Sequence, residues 1–184
     1  MDRMSPRRSL RPGFTLIELL VALAVLAIVT LWVLPGAART LDSLRLELTA
    51  GSFLATLQRA RGEAISRGVA VTLCPASQGE QCTERYTNGW ILFTDIDRDG
   101  RYDHERDELL MTDSALPAGI TVSDRGGSRD LSQAISYLPD GSARRALTRI
   151  FCAPAGRELP PVAVVLNNVG RARLARGEGQ CPGV

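Results

Sequence analysis

Residues 95–100 read D-I-D-R-D-G, three carboxylates at alternate positions followed by a glycine. Oxygen ligands at positions 1, 3 and 5 of a loop, with glycine taking the sharp turn at position 6, open a calcium-binding loop. Asp95, Asp97 and Asp99 would be ligands, Arg101 would offer its carbonyl, and Asp103 would stand at the ninth position. The twelfth position calls for Glu but holds Arg106, between Glu105 and Asp107. The EF-hand pattern is therefore broken. A calcium loop here would be shorter and closed by Asp107 or Glu108; the competing reading is an acidic surface hairpin. Catalytic chemistry is poorly supplied. The single histidine, His104, sits in this loop as an exposed residue, and the chain has no nucleophile–base pattern and no glycine-rich phosphate loop.

A second constellation is basic. All 22 Lys and Arg residues are Arg, and seven lie in residues 141–184 against Glu158 and Glu178, a local balance of +5. Residues 80–113 carry ten acids against four Arg, a balance of −6, so the overall charge of +2 hides an acidic middle and a basic end. Arg171 and Arg173 are two apart, so in a strand they share a face. Arg176 could join them, and Arg144, Arg145 and Arg149 lie on the preceding hairpin. Guanidinium groups on one face suit salt-dependent phosphate contacts, and the absence of interleaved aromatics argues against base stacking. A solvated basic face is the plainer alternative.

The third constellation is one carboxylate where none is expected. Residues 14–34 are apolar except for Thr15, Glu18 and Thr30, and 21 helical residues at 1.5 Å each cross a bilayer core of roughly 30 Å. Arg3, Arg7, Arg8 and Arg11 precede the run against Asp2, which places the N-terminus in the cytoplasm and the rest outside. The run is too long for a secretory signal, whose apolar region is about 7–15 residues. A cut after Gly13 would remove the basic leader and keep the helix as an anchor. It would create an α-amino group on Phe14, four residues before Glu18 and on the same helix face. Glu18 would also meet the positive end of the helix dipole. A carboxylate in an apolar span costs about 2.5–3.5 kcal/mol and is usually paired; its partner is its own amine or a neighbour's.

These groups need elements to hold them. Leu46, Ala50, Phe53, Leu57, Ala60 and Ala64 recur at steps of three and four, continuing one helix over about 14–67, and Gly68 is a plausible stop. The period then changes. Residues 69–74, 89–95, 108–113, 120–123, 134–138, 147–152, 161–166 and 170–174 read as short strands separated by turn residues. The fold class is α+β: a long N-terminal helix packed on an antiparallel β-sheet head. The chain divides into a leader (1–13), a transmembrane helix (14–34), the amphipathic half of that helix (35–68) and a β-rich head (69–184). An exported head meets an oxidising periplasm, where disulfides persist. Four cysteines allow three pairings. Chain proximity favours Cys74 with Cys82, leaving Cys152 with Cys181; a four-thiolate zinc site is disfavoured because no two cysteines are C-x-x-C spaced.

The Arg-rich leader, then "GFTLIELLVALAVLAI", then Pro35 resembles the type III signal and N-terminal helix of type IV pilins and type II secretion pseudopilins. In the head, "ARGEAISRGVAVTLCPASQGEQC", "GWILFTDIDRDG", "ISYLPDGSA" and "VVLNNVGRARL" resemble, in order, the GspH/FimT-type minor pilins. The resemblance implies a type IV pilin-like fold, cleavage after Gly13 by a prepilin peptidase and N-methylation of Phe14. It implies that Glu18 pairs with the N-terminus of an adjacent subunit, and that Pro35 kinks the helix at the membrane exit. The implied partners are the inner membrane, the peptidase/methyltransferase, and other minor and major pilins or pseudopilins. Gly170, Arg171 and Arg173 match the G-R-x-R motif by which DNA-binding members of the FimT group hold double-stranded DNA in natural transformation. The expected protein is a non-enzymatic minor pilin, single-pass in the inner membrane with a periplasmic head and then part of a filament. The alternative is a GspH-like minor pseudopilin of a type II secretion system.

Overall fold

The computed structural model describes residues 14–76, 81–129, 131 and 133–181, with the side chains of 31–37 excepted. The leader, including Gly13, lies outside the described residues. Helix α1 spans Leu16–Arg67 and continues through Pro35 without a break in assignment. The chain divides into two compact units, Met1–Thr40 and Leu41–Val184.

In the first unit the helix exposes apolar side chains all round: Leu16, Ile17, Leu19, Leu20, Val21, Leu23, Val25, Leu26, Ile28 and Val29 are each at least half exposed. A helix that is apolar on every side belongs in an apolar surrounding. Among the described residues no helix is long and apolar enough to cross a membrane; the side chains of 31–37, which include the end of the 21-residue run, are not among them.

The second unit holds the buried core and both disulfides. Its part of α1 buries Leu46, Ala50, Phe53, Leu57, Ala60 and Ala64, the face that the spacing predicts. Gly68 ends the helix with φ +69° and donates its N–H to Ala64 O at 3.0 Å, a left-handed cap that glycine adopts without a Cβ penalty.

Among the described residues eight strands follow, each within about two residues of its expected position: β1 Val71–Pro75, β2 Trp90–Thr94, β3 Leu109–Asp113, β4 Thr121–Ser123, β5 Ile135–Tyr137, β6 Leu147–Cys152, β7 Val162–Leu166 and β8 Ala172–Arg176. They form two four-stranded antiparallel sheets, ordered β3-β2-β1-β5 and β4-β6-β7-β8, rather than the one sheet expected. Strand β4 leaves to pair with β6, and β5 returns to β1. Size explains the split. Eight strands at about 4.8 Å would span roughly 35 Å, far wider than one helix of about 10 Å can cover. Two narrow sheets instead share one core with α1. Phe53 centres it, with ring centroids 5.4 Å from Tyr86, 5.2 Å from Trp90 and 5.4 Å from Phe151. Trp90 satisfies its indole N–H on Thr56 Oγ1 at 3.4 Å.

Each sheet also buries its opposite face under a smaller cluster. Cys74, Ala76, Ile91 and Phe93 pack with Tyr102 and Ala134 on the first sheet. Ile150, Cys152, Ala163 and Ala175 pack with Val165 and Cys181 on the second. A disulfide sits in each cluster.

Candidate functional site

At the N-terminal end, Thr15 precedes the first helical residue, and its Oγ1 accepts the N–H of Glu18 at 3.3 Å. This is half of a T-x-x-E capping box. The T-x-x-E spacing of Thr15 and Glu18 is legible in the sequence itself. It fixes Glu18 at the third helical position, where orphan N–H groups and the helix dipole favour a negative charge. Phe14 and Glu18 are exposed.

Cys74 is bonded to Cys82 and Cys152 to Cys181, which leaves no free thiol among the described residues for a metal. In the chain-entropy account, the second bridge, with its sequence separation of 29, restricts the unfolded chain more than the first, with 8.

In the acidic loop, the structure brings together Asp95, Asp97 and Asp99, one carboxylate oxygen of each lying within 4.8 Å of the others. Asp103 and Asp107 lie outside this group and are engaged with the backbone of the loop. Asp107 accepts the N–H of Ile96 on Oδ1 at 3.1 Å and that of Asp103 on Oδ2 at 2.9 Å, so both oxygens strap the loop. Asp103 accepts the N–H of Glu105 and faces Arg106 at 3.6 Å. Asp95 is buried at the end of β2. Its Oδ2 accepts from Thr72 Oγ1 at 2.7 Å and from the N–H of Gly100 at 3.1 Å. Thr72 Oγ1 also lies 2.7 Å from Ser136 Oγ. Burial pushes the Asp95 carboxyl above the usual carboxylate range, and the charges of Asp107 and Asp99 add to this; the bonds from Thr72 and Gly100 oppose it. His104 is exposed, with its ring 4.6 Å from that of Tyr102.

The basic end is more dispersed than its sequence suggests. Arg171 and Arg173 are exposed. Arg173 lies an even step from Ala175, which packs in the outer cluster, so it faces away from α1. It reaches Glu178 at 3.6 Å with both side chains half exposed or more, a pair of little energetic weight. Arg176 faces the other way and grips Glu47 of α1 through Nε at 2.9 Å and Nη2 at 3.2 Å. That hydrogen bond first, and the guanidinium charge second, hold the Glu47 carboxyl below its ordinary value. Arg149 is not on the surface at all. It is 4% exposed and lies 5.6 Å from the Tyr86 ring centre. Burial pushes the Tyr86 hydroxyl up to about 12 despite that cation. Arg144 and Arg145 bind Arg98 O and Gln133 Oε1, each at 2.7 Å, in a groove of about 540 Å³ beside Asp99 and Arg101.

Gly170 has a structural role that its motif alone does not reveal. It turns with φ +80°, and a Cβ there would overlap the carbonyl oxygen of Gly141. Arg61 of α1 donates Nε to that same oxygen at 2.9 Å and Nη2 to Val169 O at 3.3 Å, tying two hairpin turns to the helix. No spacing rule points to Arg61. It lines, with Gln58, Ile65, Tyr137, Gly170 and Arg171, a cleft of about 440 Å³.

Residues 49–170 match the family described as Type II transport protein GspH, and residues 8–34 match the prokaryotic N-terminal methylation motif. No curated protein matches the chain. The fold is similar to that of the type IV minor pilin FimU of Pseudomonas aeruginosa, with TM-score 0.55, 17% identity, and coverage of 75% of this chain and 92% of that one. It is similar also to the minor pseudopilin EpsH of the Vibrio cholerae Type 2 Secretion System, with TM-score 0.51, 17% identity, and coverage of 73% and 98%. An N-terminal helix packed on antiparallel sheets, a methylation motif that runs into the first part of that helix and a family match across most of the head converge: the chain belongs to the GspH family of minor pilins and pseudopilins, which are structural subunits and not enzymes.

Proposed function

We propose that the chain is a minor pilin of type IV pilus machinery, one that joins the tip complex, primes filament assembly and holds double-stranded DNA during uptake in natural transformation. The observation that carries the DNA reading is the exposed pair Arg171 and Arg173 beside the Gly170 turn, with Arg173 in an exposed, exchangeable ion pair with Glu178. In the same reading, prepilin peptidase cuts after Gly13, Phe14 is methylated, and the helix 14–34 rests in the inner membrane with the head in the periplasm until it enters the filament. The charge-free face of the first helical turns then meets neighbouring helices, and Glu18 takes the amine of an adjacent Phe14.

The soluble head from residue 41 should shift double-stranded DNA in a gel at low salt, and less at moderate salt. The Arg171→Ala, Arg173→Ala double variant should lose most of that binding, and the slope of log K against log salt should fall by about 2, near 0.9 for each phosphate contact removed. Folded wild-type head that shifts no DNA sinks the DNA reading. Separately, Glu18→Ala should lower incorporation into filaments while sparing membrane insertion; normal assembly of the variant contradicts the pairing. The second reading is a minor pseudopilin of a type II secretion system. It is supported by the family match over residues 49–170 and by the likeness to EpsH.

A further inference from the structure

The loop between β2 and β3 carries a charge arrangement that neither filament packing nor DNA explains. Three carboxylates converge within 4.8 Å, and the cation paired with one of them, Arg106, is shared: it lies 3.4 Å from Asp97 and 3.6 Å from Asp103, with all three side chains well exposed. Exposed pairs of this kind compensate little charge. A second, separate observation concerns Asp95, which is 1% exposed. Thr72 and Gly100 saturate its Oδ2, but Oδ1 is buried with no hydrogen-bond partner among the described residues. A buried carboxylate oxygen with nothing to accept carries the full desolvation penalty of its lone pairs.

We propose that Asp95, Asp97 and Asp99 bind a calcium ion, with Asp95 Oδ1 as the buried ligand and Asp97 and Asp99 closing over it from the exposed side. The spacing suits this ion. Two oxygens on one calcium, each at 2.3–2.6 Å, are separated by at most about 5 Å, and one carboxylate oxygen from each of the three residues falls within that span. Calcium takes six to eight oxygens, so backbone carbonyls of the loop and water complete the shell on the open side. The scaffold is prepared for the ion without it. Thr72 and Gly100 fix the Asp95 rotamer through Oδ2, and Asp107 straps the loop by accepting two backbone N–H groups. The broken twelfth position then has a structural meaning: Asp107, which stands next to it, straps the loop backbone rather than closing an EF-hand.

The test uses the head from residue 41, which contains the whole buried core. Chelated protein is titrated with calcium chloride and, in parallel, with magnesium chloride, while the melting temperature is followed. Calcium at about a hundred times its dissociation constant should raise the melting temperature by roughly 5–10 °C, and magnesium at the same concentration should raise it far less. The Asp97→Asn, Asp99→Asn double variant changes only exposed side chains. It should melt at or slightly above the chelated wild type, because repulsion is relieved, and should no longer respond to calcium. A wild type that does not respond to calcium overturns the proposal, as does a double variant that responds as strongly as the wild type.

Discussion

Gly170→Ala lowers the melting temperature of the head by roughly 10 °C. Two penalties combine. The residue sits at φ +80°, where an L side chain is strained by about 1–2 kcal/mol. The added Cβ would also overlap the carbonyl oxygen of Gly141, which is backbone and already accepts a bond from Arg61. Forcing a methyl into such a contact costs typically 1–3 kcal/mol. The total of about 2–5 kcal/mol converts at roughly 2–4 °C per kcal/mol for a domain near this size. Gly177→Ala separates the two terms, because Gly177 turns at φ +71° with open space where its Cβ would go. It should show the strain alone, a loss of only a few degrees. Equal losses in the two variants, measured by thermal denaturation, would refute the close-approach account. The outcome also bears on how the G-R-x-R match is understood. A motif glycine whose backbone wedges two hairpin turns together explains the first letter without any nucleic acid, and only the two arginines remain to be explained by a ligand.

Phe53→Ala removes about 3–5 kcal/mol of stability. Phe53 is fully buried and touches an aromatic ring from three places: Tyr86 in the segment before β2, Trp90 in β2 and Phe151 in β6. It is therefore the side chain on α1 that joins the two sheets into one core, and truncation leaves a cavity that rigid strands cannot close. Chemical denaturation followed by Trp90 fluorescence measures the loss directly. Phe53→Leu keeps much of the volume and should lose less than half as much. A loss below 1 kcal/mol for Phe53→Ala would show that the sheets are held by something other than this junction.

Much of this architecture was legible in the residues, for reasons that differ by element. The α1 stripe at 46, 50, 53, 57, 60 and 64 was visible because one face packs and the other does not, so the 3.6-residue period survives in the sequence. The eight strands were visible through their β-branched runs and glycine turns. Their division into two sheets was not, because strand order depends on which long-range pairings cover the helix, and β4 and β5 are three residues each, too short to announce a partner. At the candidate sites, spacing singled out Asp95, Asp97 and Asp99, which the fold gathers within 4.8 Å, and Arg171 and Arg173, which it leaves exposed. It also singled out Asp103 and Asp107, whose carboxylates take backbone N–H groups of the loop. Arg149 looked like surface charge in sequence and is instead folded inward over Tyr86. Arg61 was invisible, because its partners are backbone oxygens 80 and 108 residues away.

Neither disulfide includes a residue of α1: one joins β1 to the segment before β2, the other joins β6 to the tail beyond β8. A filament subunit is handled by its helix, so tension on the head enters through α1 and then through β1, whose first residues are flanked by β2 on one side and β5 on the other. Apart from the peptide link into β1, the grip on the helix is side-chain interlock and a few charged clasps such as Arg176 with Glu47, with no disulfide behind it. Oxidation therefore cross-links strands and tail within the head and leaves its hold on α1 to packing and to the single peptide link into β1.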